Sequence, residues 1–191
     1  MNQFQEPEHV TMLRDTLRQF IEKEMPRDKV REWDKGDHFP REVFNKLADL
    51  GLTSLTVPEK YGGNGKDMLA TIAVIEELST RSLGVASGYI FCACYAGLNL
   101  SEAASEEQKQ ELLPKVAKGE LLFSYGISEP DVGADVASVK TRAVIEGDEV
   151  VINGAKRWCS GPNVTDFIYT LVRSGPEEER YKNLSIILIP P

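Results

Sequence analysis

The stretch FSYGISEPDVGADVASVK, residues 123–140, passes directly from an apolar run into a segment built to turn. Residues 121–123 are typical of a buried strand, whereas residues 128–135 contain a proline, a glycine and two aspartates, which favour turns. Such a change from strand to loop often marks a place where backbone meets a ligand, but an ordinary surface loop has the same composition. The rest of the chain must decide between these two interpretations.

The composition excludes several classes of function. The 191 residues are 41% hydrophobic and 27% charged, which is ordinary for a globular protein. The net charge of −8 disfavours nucleic acid as the main partner, because phosphate binding needs a basic face. We expect no membrane span, because no apolar run approaches the ~20 residues that a span requires. The polar, acidic N-terminus is unlike a signal peptide.

The cysteines predict a reducing compartment. Cys92, Cys94 and Cys159 are an odd number with one C-x-C spacing, which fits neither a disulfide framework nor a zinc site. We therefore expect reduced thiols, no metal site and a cytoplasmic location.

The first two-thirds of the chain has the periodicity of helices. Apolar residues recur on one helical face before Pro26, and further helices are predicted over residues 41–50 and 68–81. Ser105 and Gln108 form a capping box at the start of another helix, which Pro114 is expected to break or kink. The segment between residues 82 and 105 is rich in small side chains. These allow close helix packing or leave room for a ligand, and both interpretations stay open.

The period changes after Gly119. The run AVIEGDEVVINGAKRWCSG, residues 143–161, has Gly-Asp and Asn-Gly pairs between β-prone segments, which is a hairpin signature. DFIYTLVRS, residues 166–174, and LSIILIP, residues 184–190, predict further strands. The fold class is therefore α+β: an all-helical domain, residues 1–120, and then an antiparallel β-barrel-like domain, residues 121–191. A sheet ending at the last strand would expose an edge with unpaired backbone N–H and C=O groups. We therefore expect this β domain to be part of a longer polypeptide.

Two segments of the β domain are candidates for ligand binding. In a strand, Trp158 and Ser160 would share one face and Cys159 would point the other way. That face would stack a planar ring and hydrogen-bond one of its heteroatoms. The alternative is a core tryptophan beside a serine that caps a turn. Ser128 supplies a hydroxyl and an amide at the end of a strand, and Gly133 permits close approach of backbone.

Four stretches together resemble the acyl-CoA dehydrogenases, and they occur in the order of that family. They are LADLGLTSLTVPEKYGGNGKD (47–67), SEEQKQELLPKVAKGELLFSYGISEPDVGADVASVKTRA (105–143), EVVINGAKRWCSG (149–161) and DFIYTLVRS (166–174). The family desaturates acyl-CoA thioesters with a flavin. The resemblance therefore implies FAD, an acyl-CoA substrate, hydride transfer to flavin N5, a separate electron-transfer protein and a homo- or hetero-oligomer.

The resemblance also implies roles for individual residues. Trp158 would pack against the flavin ring, and Ser160 would hydrogen-bond near N5. The implied FAD-binding residues are Tyr125, Ile127, Ser128, Gly133, Trp158 and Ser160, and the implied substrate-binding residue is Ala134. The family has Gly-Ala-Gly-Ser-Asp at residues 131–135, so Ala134 lacks a serine hydroxyl. Ser160 replaces a threonine and keeps the hydroxyl.

The third, helical domain of the family is absent from this sequence. That domain carries the catalytic glutamate in the family, so no catalytic residue is assigned, and Glu129 beside a proline is expected to be structural. Three alternatives stay open. They are an acyl-CoA oxidase or reductase on the same scaffold, a non-catalytic half of a split or heteromeric flavoenzyme, and an interaction module without cofactor.

Overall fold

The computed structural model describes residues 6–191 in two compact units, which meet in sequence between Leu122 and Phe123. The first unit is helical and the second is built on a sheet, which confirms the predicted α+β class. The helices are α1 (Glu8–Glu24), α2 (Arg27–Lys35), α3 (Arg41–Asp49), α4 (Met68–Ser79), α5 (Leu83–Ala103) and α6 (Glu106–Ala117).

Most of the predicted helices are confirmed. α3 and α4 begin at the predicted residues, and Ser105 and Gln108 form the predicted capping box of α6. Of the two effects expected of Pro114, a break or a kink, the break is wrong, because α6 continues through Pro114 to Ala117. α6 buries Leu112, Leu113 and Val116 in the unit, and this packing offsets the hydrogen bond that proline cannot donate. α2 was not predicted, because its nine residues contain only two apolar side chains, Val30 and Trp33.

Small residues in α5 pack closely against their neighbours. An added Cβ at Gly88 would lie 2.4 Å from the Phe39 ring, and one at Gly97 would lie 2.3 Å from Thr56 Oγ1. The helix contains a π-helical segment, Ile90–Leu98, and Thr56 Oγ1 donates to the Ala93 carbonyl within it at 2.7 Å. Of the two interpretations of this small-residue segment, the structure favours close packing.

α5 also meets the length and composition of a membrane span. Its 21 residues include an apolar window of which 56% is buried inside the protein. Such burial is typical of the core helix of a globular domain.

The second unit contains a mixed sheet, whereas the sequence predicted an antiparallel one. Its strands are β1 (Phe123–Gly126), β2 (Arg142–Glu146), β3 (Glu149–Asn153), β4 (Phe167–Arg173) and β5 (Leu184–Ile189). β2 and β3 form the predicted hairpin, and β5 lies antiparallel to β4. β1 and β2, however, both run parallel to β4. Turn residues report only on strands adjacent in sequence, so they carried no signal for these two pairings.

We predict that Gly97→Ala lowers the free energy of unfolding by about 1–3 kcal/mol, because the new methyl group would overlap Thr56. Gly84→Ala is a matched control in the same helix. There the new Cβ would lie 3.7 Å from Ser82 Oγ, an ordinary contact, and removing a helical glycine stabilises by about 0.5–1 kcal/mol. Urea denaturation of both variants measures the difference, and equal effects would contradict close packing at Gly97.

Candidate functional site

Two loops of the second unit lie side by side. They are the β1–β2 loop, residues 127–141, and the β3–β4 loop, residues 154–166. The Arg157 N–H donates to the Ser128 carbonyl at 2.8 Å, and Lys156 Nζ donates to the Ile127 carbonyl at 3.2 Å. Ser124 Oγ in β1 lies 3.3 Å from Cys159 Sγ in the second loop. The two segments that the sequence singled out are therefore joined to one another.

The carboxylate of Glu129 lies between these loops and is only 6% exposed. It accepts hydrogen bonds at 2.8 Å from each of the backbone N–H groups of Lys140 and Thr141. It also accepts one from Lys156 Nζ at 2.9 Å, which makes a buried ion pair. These contacts give Glu129 a structural role.

The surroundings of Glu129 hold it ionised. Burial by itself raises the pKa of the carboxyl, but hydrogen bonds from Thr141, Lys140 and Lys156 outweigh burial and lower the pKa to about 2. A carboxylate that is ionised at every physiological pH, with its oxygens facing these donors, is an anchor for the backbone rather than a group that exchanges protons.

The predicted strand through Trp158, Cys159 and Ser160 is wrong. β3 ends at Asn153, and the chain leaves the hairpin at Gly154, whose backbone lies so close to Thr141 that a Cβ would come within 2.4 Å of Thr141 Oγ1. The alternation of side chains along a strand therefore cannot place Trp158 and Ser160 on a common face. Trp158 instead has a positive φ of 61°.

Trp158 is an exposed aromatic residue on a strained backbone. Its side chain is open to solvent, with 75% of its surface exposed. The Arg157 guanidinium lies over the ring at 4.4 Å from its centroid. A positive φ is a genuine outlier for a bulky residue and costs about 1–3 kcal/mol, and such strain clusters at functional sites. The alternative of a core tryptophan is therefore wrong, and the ring is free to stack on a planar ligand.

The other predicted site residues lie at different depths. Tyr125 is half-buried in β1 with its ring 5.3 Å from that of Tyr169. Ile127 and Ser128 are half-buried where the first loop begins, while Gly133, Ala134 and Ser160 are exposed. A Cβ at Gly133 would meet nothing within 4 Å, so this turn has open space on that side. Of these residues, Ile127 and Ser128 are joined to the second loop, because their carbonyls accept from Lys156 Nζ and from the Arg157 N–H.

Sequence reasoning missed the residues that connect the loops. Lys156 and Arg157 were not singled out, although Lys156 is part of the Asn-Gly-x-Lys run that carried the resemblance. Asp131 pairs with the Lys140 ammonium at 3.4 Å, and Asp135 accepts from Ser138 Oγ at 2.5 Å and pairs with Arg180 at 2.8 Å.

Within residues 6–191, no group of three or more histidine, cysteine, aspartate or glutamate side chains is arranged to hold a metal ion. In the part of the chain that the structure describes, no disulfide joins Cys92, Cys94 and Cys159.

Both units match models of known domains. Residues 7–120 match the model described as the acyl-CoA dehydrogenase N-terminal domain, and residues 124–191 match the model of the acyl-CoA dehydrogenase middle domain. Among curated proteins, the chain is 30% identical to a probable acyl-CoA dehydrogenase, YngJ, of Bacillus subtilis, over 94% of the chain and 47% of that protein. It is 35% identical to the (2S)-methylsuccinyl-CoA dehydrogenase of Cereibacter sphaeroides, over 95% of the chain and 33% of that protein.

A solved structure agrees with these matches. The ChsE4–ChsE5 complex from Mycobacterium tuberculosis contains a chain with a TM-score of 0.80 and 28% identity, over 98% of this chain and 48% of that one. The chain spans about half the length, or less, of the relatives named here.

We predict that Glu129→Gln lowers the melting temperature near neutral pH, because it replaces the carboxylate by a neutral amide and leaves the buried Lys156 ammonium without its counter-charge. The folded-state pKa of Glu129 is depressed, so its contribution to stability is fully present above pH 4.5 and is lost as pH falls through about 2. The difference in melting temperature should therefore shrink as pH falls below 4.5. Glu149→Gln, at an exposed position of the β2–β3 hairpin, is the control. A difference that stays constant down to pH 2 would contradict the low pKa.

Proposed function

The chain belongs to the acyl-CoA dehydrogenase family, and from this we propose that its second unit carries most contacts to the flavin ring of an FAD-dependent acyl-CoA dehydrogenase. The reaction is the α,β-dehydrogenation of an acyl-CoA thioester. The observation that carries the proposal is the exposed, strained Trp158, which a backbone hydrogen bond from Arg157 holds beside Ser128.

The residues of the two loops fit a flavin. Trp158 offers a large aromatic surface to solvent, and Gly133 leaves open space. Among residues 6–191, the side-chain hydroxyls of Ser128 and Ser160 make no hydrogen bond, so both are available to polar atoms of a ligand. The residues that would hold FAD are therefore those that the resemblance implied: Tyr125, Ile127, Ser128, Gly133, Trp158 and Ser160. When bound, a flavin supplies the capacity to accept a hydride.

The protein's own residues have three tasks in this proposal. Trp158 would cover the ring and exclude water from it, and the Ser160 hydroxyl would donate a hydrogen bond near N5. Ser128 would bind the ring edge through its amide and hydroxyl. Ala134 would contact the thioester through backbone and methyl group, because it has no hydroxyl to offer. Orientation and water exclusion are therefore the contribution of these two loops.

Glu129 does not serve as the base that removes the α proton. A general base needs a pKa near the working pH and a free lone pair within reach of the proton. The pKa of Glu129 is about 2, and its oxygens accept from Lys140, Thr141 and Lys156. We therefore propose that the base comes from a polypeptide segment outside these residues. As before, no catalytic residue is assigned.

The wider assignments are also proposals. We infer an acyl-CoA substrate, an electron-transfer protein as acceptor, an oligomeric assembly and a domain division at residues 1–120 and 121–191. The three cysteines form no disulfide within the described residues, which supports a cytoplasmic location.

A second candidate is the non-catalytic half of a heteromeric flavoenzyme. Glu129 supports this candidate, because its oxygens already accept hydrogen bonds from Lys140, Thr141 and Lys156. The proposed flavin contacts would then lie beside a carboxylate that cannot act as the base. The likeness to a chain of the ChsE4–ChsE5 complex supports it too, since that structure is a complex of two named proteins. An oxidase or reductase on the same scaffold differs only in what reoxidises or reduces the flavin, and rapid reoxidation by air would distinguish the oxidase.

The visible absorption spectrum of the purified chain with FAD tests the function. We expect a bound-flavin band near ~450 nm that is retained after desalting. Anaerobic addition of an acyl-CoA then separates the two candidates. Bleaching would mean a complete site, whereas a stable yellow complex would mean a half that needs a partner. A chain that stays colourless at saturating FAD would contradict the proposed function.

We predict that Trp158→Ala weakens FAD binding about tenfold or more, since a stacked aromatic contributes about 0.5–1.5 kcal/mol beyond its buried area. Tyr181→Ala is the matched control, because Tyr181 is another exposed aromatic with an arginine guanidinium near its ring. Fluorescence titration with FAD measures both affinities. Equal losses in the two variants would argue against stacking on Trp158.

A further inference from the structure

Lys156 forms a more buried ion pair than the other paired lysine in the described residues of the second unit. Its side chain is only 13% exposed. Its ammonium donates both to the Glu129 carboxylate, at 2.9 Å, and to the Ile127 carbonyl, at 3.2 Å. The pair of Lys140 with Asp131, by comparison, joins side chains that are 71% and 78% exposed, at 3.4 Å.

The two acceptors of Lys156 flank one residue, Ser128. Ile127 comes immediately before Ser128 and Glu129 immediately after it, so one ammonium fixes the backbone on both sides of Ser128. The next residue along the second loop, Arg157, donates its N–H to the Ser128 carbonyl itself. Three consecutive residues of the first loop are thus held by two consecutive residues of the second.

Trp158 follows directly on these two residues. Its positive φ costs energy, and such a conformation persists only where the surroundings over-determine it. Its side chain is 75% exposed, so packing of the ring cannot supply that restraint. The restraint therefore comes from the residues on either side of Trp158. The Lys156 and Arg157 hydrogen bonds fix the backbone before it, and Cys159 after it lies 3.3 Å from Ser124 Oγ.

We propose that Lys156 is a positioning residue. It holds residues 156–158, and with them Trp158, against Ser128 through its bonds to the Glu129 carboxylate and the Ile127 carbonyl. The functional meaning of this inference rests on the proposed flavin site. Lys156 would set the distance between Trp158 and Ser128, which are the two residues proposed to contact the flavin ring. Lys156 touches neither FAD nor substrate in this proposal and acts through Trp158.

The experiment follows Trp158 first without FAD. Replacing Trp33, the other tryptophan of the chain, with phenylalanine leaves Trp158 as the single tryptophan, whose emission can be excited selectively over that of the tyrosines. In this background Lys156→Met is expected to lower the fluorescence anisotropy of Trp158. Amide hydrogen exchange at Arg157 should become faster, by about tenfold or more, because its bond to Ser128 opens more often.

Three further variants keep the test specific. Lys156→Arg restores a cation and should recover most of the anisotropy and exchange protection. Lys140→Met removes the exposed pair with Asp131 from the same loop and should change neither. Should Lys156→Met fail to fold, the double variant Glu129→Gln/Lys156→Met removes both buried charges together and is expected to fold with the same loosened Trp158.

FAD titration of the same set separates the two levels of inference. If wild-type protein binds FAD, Lys156→Met should weaken binding by about tenfold or more, a size typical of losing a group that orients a ligand contact. Unchanged anisotropy and exchange in both Lys156→Met and the double variant would overturn the positioning role, whatever FAD does. Failure of wild-type protein to bind FAD would overturn the proposed function, while loosening of Trp158 would still support Lys156 as its restraint.

Discussion

A buried carboxylate, that of Glu129, sets the conformation of both loops. A charge removed from water is tolerated only when hydrogen-bond donors surround it. Here the donors are two successive backbone N–H groups, of Lys140 and Thr141, and the ammonium of Lys156. The first two lie at the end of the loop that Glu129 itself begins, so that loop must close on itself. The third comes from another loop, which must lie alongside.

The same constraint explains how a tryptophan can be both exposed and strained. Neither burial nor strand pairing holds Trp158, and the stack of Arg157 on its ring contributes only about 0.5–1 kcal/mol at an exposed site. The strained backbone is therefore held by the hydrogen bonds of Lys156 and Arg157 before it and by the contact of Cys159 with Ser124 after it. Favourable buried hydrogen bonds in the second unit thus offset the energetic cost of the strained backbone that exposes the Trp158 ring. Such strain, supported by the surrounding structure, is typical of a binding site.

The sequence was sufficient where structure depends on neighbours along the chain. The 3.6-residue pattern gave α3 and α4, local polar groups gave the capping box at Ser105, and Gly147-Asp148 gave the β2–β3 hairpin. It was insufficient where contacts distant in sequence decide. Core packing carries α6 through Pro114, and β1 pairs in parallel with β4 across about 40 residues of chain.

The resemblance nominated Trp158 and Ser128 as site residues, but the strand geometry used to relate Trp158 to Ser160 was wrong. Lys156 and Glu129 are 27 residues apart, so no local spacing shows their bond.

The pKa of Glu129 also determines which role this residue can have in the proposed reaction. Hydrogen bonds that anchor the loops hold this carboxylate ionised, with a pKa of about 2, and a weaker set of donors would raise its pKa towards a useful range at the expense of the anchor. One carboxylate cannot both be saturated by three donors and accept a proton from substrate. Glu129 therefore anchors the two loops and does not act as the base of the proposed reaction, since that base needs a free lone pair and a pKa near the working pH.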